Sequence, residues 1–235
     1  MVDHILATVA VVVVLVVTNL LNNRYAKRHY MVICFVMTGL LLTIAVIDGI
    51  AWRDMGLGVN TWVQGLIWSV VVFVAVALFY AIAVSLPFAR KGFADKRAVE
   101  QGWRTLLYES TIRIPFGTAV LEEVAFRGVL LAVVVSGWGW WPGVIVSSIL
   151  FGLWHIYPSL DFHENAEVAD KLPDNIWGKL VSVAGNVVAT GIAGVVFCLL
   201  LDFTGSLFPV ITLHASLNGI GMAVSWALGR RLADL

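Results

Sequence analysis

Long, nearly continuous runs of hydrophobic positions dominate the chain, and short polar clusters separate them. The apolar positions within each run do not alternate with polar ones, which is typical of helices that are hydrophobic on all faces. A helix needs about 20 such residues to cross a bilayer. The pattern therefore predicts an all-α fold, a polytopic membrane helix bundle of about seven or eight transmembrane helices. The runs cover residues 5–21, 31–50, 62–86, 114–135, 144–156, 180–201 and 207–228.

A more polar segment, residues 95–113, precedes the fourth run. It mixes charges with Val99, Trp103, Leu106, Leu107 and Ile112 at roughly helical spacing, so it is either an amphipathic helix at the membrane interface or a solvated linker helix. We expect one membrane domain over 1–235, with the N-terminal spans and this helix in 1–113 and a core in 114–228.

Composition excludes several classes of protein. Of the 235 residues, 60% are hydrophobic and 13% are charged, with 15 basic and 15 acidic side chains, which is far from a soluble domain. Because no basic tract stands out, nucleic-acid binding is not expected. Cys34 and Cys198 lie inside apolar runs and suggest neither a disulfide nor a zinc framework.

Basic residues favour one orientation. They follow the first, third and seventh runs, and the positive-inside rule then places the N-terminus outside and the C-terminus in the cytoplasm. We expect a multi-pass protein of a bacterial or archaeal plasma membrane. The basic residues are Arg24, Lys27, Arg28, Arg90, Lys91, Lys96, Arg97, Arg104, Arg230 and Arg231.

The fourth run contains ionisable residues, which are costly in hydrocarbon and suggest function by default. Glu123 and Arg127 are four residues apart and share a helix face, so they are expected to form an ion pair. Glu122 points about 100° away and lacks a local counter-charge, which suits a general base that activates water. The alternative is that all three residues only tie helices together.

Two later runs carry further polar residues. Phe151 and His155 share one face of the fifth run, and His214 and Asn218 share one face of the seventh. Alone, each histidine is more simply an interfacial or helix-linking residue. Together with Glu122 they support hydrolysis of a carbonyl compound. His155 would orient the water or protonate the leaving amine, and His214 with Asn218 would stabilise the oxyanion.

At these residues the sequence resembles the CPBP intramembrane proteases, which include CAAX prenyl endopeptidases and bacteriocin-processing or immunity proteins. Glu122, Glu123 and Arg127 are similar to the family motif E-E-x-x-x-R. Phe151 and His155 are similar to F-x-x-x-H, and the last motif, H-x-x-x-N/D, is similar to His214 and Asn218. The three motifs occur in the family order within residues 114–228, whereas the first three runs match nothing specific.

The resemblance implies a glutamate-dependent intramembrane endopeptidase that cleaves a membrane-anchored peptide or protein within the lipid bilayer. Glu122, His155 and His214 would satisfy a catalytic zinc, but family precedent favours a mechanism without metal or other cofactor. The acidic residues of segment 157–179 could gate substrate entry or form a solvated loop. The rival functions are a proton-coupled transporter, although no inverted repeat is visible, and a non-catalytic immunity or scaffold protein. The acidic segment contains Asp161, His163, Glu164, Glu167 and Asp170.

Overall fold

The computed structural model describes residues 2–90, 101–165 and 175–233, and these residues form eight main helices and no strand. A short helical turn, Pro87–Arg90, follows the third helix. Helix α4 covers residues 103–138. The other helices are α1 (Val2–Leu20), α2 (Tyr30–Ile47), α3 (Trp62–Ser85), α5 (Trp140–Trp154), α6 (Ile156–Asn165), α7 (Ile176–Thr204) and α8 (Leu207–Ala233).

Helix α4 is continuous but changes its hydrogen-bond pattern. It is α-helical over Trp103–Tyr108, Val120–Glu123 and Leu131–Trp138, and it has the wider i→i+5 pattern of a π-helix over Glu109–Ala119 and Val124–Leu130. The first wide segment contains Pro115, which has no amide proton and interrupts a regular α-helix. Because these segments follow one another without a break, residues 103–113 form the first turns of α4. The separate interfacial helix predicted over 95–113 is not present in this part, and residues 95–100 lie outside the described residues.

Each of the seven predicted runs forms a helix. Five helical segments are long and apolar enough to cross a membrane, whereas α4 carries three charges in its middle and α5 has only 15 residues. At 1.5 Å per residue, α5 is about 22 Å long, which is shorter than the bilayer core of about 30 Å. The five segments are His4–Tyr25, Lys27–Ile47, Val59–Ser85, Ile176–Thr204 and Leu207–Arg230.

Helix α4 lies at the centre of the bundle, in contact with α1, α2, α5, α7 and α8. Every residue from 121 to 134 is buried. Helix α3, in contrast, exposes large apolar side chains such as Val63, Ile67 and Ile82 along its length. An exposed apolar surface of this extent is what bilayer hydrocarbon covers, and the protein is an integral membrane protein.

The loop between α2 and α3 folds back into the bundle. Met55 is fully buried, and the amide of Leu207 donates to the carbonyl of Gly56 at 2.8 Å. Gly56 has a φ of +70°, and a Cβ atom there would lie 2.9 Å from the Leu207 nitrogen, so only glycine fits. The loop is thus tied to the first turn of α8.

The acidic segment 157–179 is described only in part. Its first residues, including Asp161, His163 and Glu164, belong to α6. Glu167 and Asp170 lie outside the described residues. The expectation that this segment gates substrate entry therefore stays a prediction.

Candidate active site

The two adjacent glutamates of α4 face different surroundings. Glu123 is fully buried, and its Oε1 accepts hydrogen bonds from Arg127 Nη1 at 3.1 Å and from His214 Nδ1 at 2.6 Å. The i,i+4 ion pair expected from the sequence is therefore present. The contact with His214 joins residues 91 positions apart and links α4 to α8.

Arg127 is also fully buried, and two of its nitrogens, Nε and Nη2, have no hydrogen-bond partner. Its guanidinium carbon lies 3.8 Å from the centroid of the Phe151 ring and 4.8 Å from that of Phe197. A desolvated cation over an aromatic face is stabilised by the ring quadrupole. Phe151 therefore has a contact that sequence spacing did not indicate, since it covers the cation that neutralises Glu123.

Glu122 points toward the C-terminal end of α5. Its Oε1 accepts a hydrogen bond from Trp154 Nε1 at 3.0 Å. Its Oε2 is buried without a hydrogen-bond partner, and it faces His155 Nε2 at 3.8 Å and His214 Nε2 at 3.9 Å. One carboxylate oxygen is thus held, and the other faces two imidazole nitrogens at distances too long for direct hydrogen bonds.

The histidine partners define which ring nitrogens are available. His155 Nδ1 lies 2.8 Å from the carbonyl oxygen of Phe151, and because a carbonyl only accepts, Nδ1 carries the proton. His214 Nδ1 likewise donates to the Glu123 carboxylate. In the neutral form, each ring therefore presents the Nε2 lone pair toward Glu122.

Asn218 is placed differently from the other motif residues. It follows His214 by one turn of α8, but its side chain is exposed. No hydrogen bond joins it to Glu122, Glu123 or either histidine in the described part of the chain. The structure thus brings together Glu122, Glu123, Arg127, Phe151, His155 and His214, and it leaves Asn218 at the edge of this group.

The residues suggested as zinc ligands fit a metal poorly. Carboxylate and imidazole are suitable donors, but ligands about 2.1 Å from a tetrahedral zinc lie about 3.4 Å apart. The separations from Glu122 Oε2 to the two Nε2 atoms are 3.8 and 3.9 Å. Within residues 2–90, 101–165 and 175–233, no group of three or more His, Cys, Asp or Glu is arranged to hold a metal ion.

Several residues around the site were not identified from the sequence. Trp154 holds Glu122, and its own carbonyl accepts from Asn19 Nδ2 at 2.9 Å. Asn186 donates to the hydroxyl of Ser159, which donates to the carbonyl of His155. The only sequence signal for any of them is that Trp154 immediately precedes a motif histidine, since the other contacts depend on how helices pack.

Comparisons with known proteins support the resemblance seen in the motifs. A family model described as type II CAAX prenyl endopeptidase Rce1-like matches residues 103–220. The match begins at α4 and ends in α8, so all of the motif residues lie inside it. No curated protein and no solved structure matches the chain. With half of its length matched, the chain belongs to the type II CAAX prenyl endopeptidase Rce1-like family, a family of intramembrane proteases.

Proposed function

We propose that the protein is a glutamate-dependent intramembrane endopeptidase that hydrolyses a peptide bond in a membrane-anchored protein or peptide. The observation that carries this proposal is Glu122 Oε2, a buried and unpartnered carboxylate oxygen that faces two imidazole nitrogens. A proton acceptor of this kind among groups that can orient water supports hydrolysis.

The distances suit a water molecule between Glu122 and the histidines. Glu122 Oε2 lies 3.8 Å from His155 Nε2 and 3.9 Å from His214 Nε2. A water molecule about 2.8 Å from both atoms of such a pair can form a hydrogen bond with each of them. Glu122 Oε2 would take a proton from this water while the oxygen of the water attacks the carbonyl carbon of the substrate. His155 Nε2 would align the water. As the C–N bond of the substrate breaks, the proton that Glu122 took from the water would pass to the leaving amine.

His214 would stabilise the oxyanion. His214 lies beside two carboxylates, Glu122 and Glu123, and Glu123 also pairs with Arg127. These four side chains are neutral together when His214 carries a second proton. A protonated His214 would donate from Nε2 toward the developing negative charge while Nδ1 stays on Glu123. Asn218 would supply a second donor, since it lies one helical turn after His214 and its side chain is exposed.

The substrate would approach from the cytoplasmic side. The site lies near Asn19 at the end of α1 and near the end of α5, and basic residues follow both α1 and the third predicted span. An apolar groove of ≈ 290 Å³ between α1 and α5 is lined by Phe126 and Trp154. Trp154 of this groove also donates to Glu122, and the apolar lining suits the hydrocarbon anchor of a membrane-bound substrate.

The test of the enzyme assignment is Glu122→Gln, which preserves size but removes the proton acceptor. Glu109→Gln is the matched control, because Glu109 lies on the same helix and pairs locally with Arg113 at 2.7 Å. Purified protein in detergent would be tested on a farnesylated peptide, and membrane peptides of cells expressing each variant would be compared by mass spectrometry. Equal processing by wild type and Glu122→Gln would overturn the proposal.

We also propose that catalysis needs no metal, which the wide ligand separations support. Activity of the purified protein should survive exhaustive chelation and should not rise when zinc is returned. A loss on chelation that one equivalent of zinc restores would instead assign Glu122, His155 and His214 as metal ligands.

A further inference from the structure

Trp154 holds the Glu122 carboxylate by a direct contact, although it occupies an unspecified position of the F-x-x-x-H motif. The indole N–H donates to Oε1 at 3.0 Å, and Oε2 is the oxygen that faces His155 and His214. A carboxylate can rotate and exchange its two oxygens. A hydrogen bond to one of them restricts that rotation, and bonds to ionised groups are among the stronger ones.

The position of Trp154 is itself restrained from outside the family-matched region. Its carbonyl belongs to the last turn of α5, where helical carbonyls lose their partners. The residue four positions later, Pro158, has no amide proton, so it cannot donate to this carbonyl. Asn19 of α1 donates instead, from Nδ2 at 2.9 Å.

The carbonyl of the next residue, His155, has the backbone hydrogen bond that Pro158 denies to Trp154. The carbonyl of His155 accepts from the amide of Ser159 at 3.0 Å, in the regular i,i+4 manner. The carbonyl of Trp154 would have the same kind of partner if residue 158 carried an N–H. The Asn19 side chain takes the place of that missing donor, and it joins α1 to the residue that holds Glu122.

We propose that Trp154 is a positioning residue that selects Glu122 Oε2 as the catalytic base, and that Asn19 of α1 maintains Trp154 in that position. The chain of contacts runs from α1 through the end of α5 to α4. It rests on the proposed function of Glu122 for its catalytic consequence. The orientation of the carboxylate, however, is independent of any substrate.

The kinetic test uses Trp154→Phe, which keeps an aromatic ring against Phe126 but removes the N–H donor. Hydrolysis of the farnesylated peptide should show kcat lowered about 10- to 100-fold, because the lost bond orients the base. KM is a separate readout, since Trp154 also lines the groove proposed for the substrate anchor. Trp62→Phe is the matched control, since it also removes an indole N–H donor, in this case one that bonds to the backbone carbonyl of Leu57 and not to a carboxylate. Unchanged kcat, or a rise in KM alone, would overturn the proposal.

A rescue experiment tests the role of α1. Asn19→Leu should lower kcat about 2- to 10-fold, the range of a neutral hydrogen bond. Adding Pro158→Ala supplies a backbone N–H to the Trp154 carbonyl and should recover most of the loss. Asn23→Leu is the control, because Asn23 donates to a carbonyl of its own helix, that of Asn19 one turn before it. A double variant no better than Asn19→Leu would remove Asn19 from the proposal, even if Trp154→Phe failed to fold.

Infrared spectroscopy separates this proposal from the enzyme assignment. The carboxylate bands of Glu122 are obtained by subtracting the spectrum of Glu122→Gln, and the same subtraction is made in the Trp154→Phe background. The bands should move when the donor on Oε1 is lost. Unmoved bands would overturn the positioning role whether or not the peptide is cleaved. If the bands move but the wild-type protein does not cleave the peptide, Trp154 does orient Glu122, and the proposed function is what fails.

Discussion

Two clusters that combine histidine with carboxylate lie toward opposite ends of α1. One contains His4, Asp48 and Ser136, and the other is the group around Glu122. In the first, Asp48 Oδ2 lies 2.8 Å and Ser136 Oγ 3.3 Å from the same ring nitrogen, His4 Nδ1. In the second, His214 uses Nδ1 for Glu123 and turns Nε2 toward Glu122.

The two clusters differ in which of their atoms are free to bind water or substrate. A catalytic relay needs a histidine whose two nitrogens contact different groups. Although serine, histidine and aspartate all occur in the first cluster, both of its contacts share one nitrogen, and the hydroxyl of Ser136 already donates to the carbonyl of Val133 at 2.8 Å. The Glu122 group instead has an unpartnered oxygen and two available imidazole nitrogens. Residue types alone would have ranked the two clusters equally.

The largest expected effect on activity is that of Glu122→Gln. Loss of a general base typically lowers the rate about 10²- to 10⁴-fold, and thermal stability in detergent should stay near that of wild type because the replacement keeps a hydrogen-bonding side chain. The corresponding change in the other cluster, Asp48→Asn, should leave cleavage unchanged. A loss of activity in Asp48→Asn at unchanged stability would invalidate the comparison.

Glu123→Gln should have the largest effect on stability. It leaves Arg127 buried without a counter-charge, and breaking a buried pair costs about 3–5 kcal/mol. Adding Arg127→Gln should restore folding, because neither charge of the pair is then left buried without its partner. Because His214 also bonds to Glu123, the double variant should recover stability but not activity. Melting temperatures and cleavage rates of the single and double variants decide this, and a fully active double variant would show that His214 needs no carboxylate partner.

A smaller effect is expected for His4→Gln. The His4 side chain is 25% exposed, and a partly exposed hydrogen bond contributes about 0.5–1.5 kcal/mol. The melting temperature should fall slightly while peptide cleavage is retained. A change in cleavage rate without a change in stability would give the first cluster a functional role after all.

Ser136→Ala should have the smallest effect. Its hydroxyl already donates to a carbonyl of its own helix, and its contact with His4 is long, at 3.3 Å. We expect a melting temperature and a cleavage rate close to those of wild type. Covalent labelling of Ser136 by a serine-directed phosphonate would contradict this reading, since it would show an activated hydroxyl.

Hydrophobic pattern and helical spacing predicted the helices and the pairing of Glu123 with Arg127, because both depend on local periodicity. They did not predict contacts set by packing, such as that of His214 with Glu123, 91 positions away, or of Asn19 with Trp154, 135 positions away. Spacing predicted that Asn218 shares a helix face with His214, but it did not predict that the Asn218 side chain is exposed while His214 is buried. The catalytic roles of these residues remain predictions for the experiments above.

The bond between Gly56 and Leu207 has a practical consequence for reporter fusions. Surface loops usually accept inserted tags, because loop length costs little free energy. Here the loop backbone supports the first turn of α8, and His214 lies seven positions after Leu207 on that helix. An epitope inserted near Gly56 would disturb α8 and with it the position of His214. The orientation of the protein in the membrane should therefore be mapped with tags at the chain ends or with single-cysteine labelling.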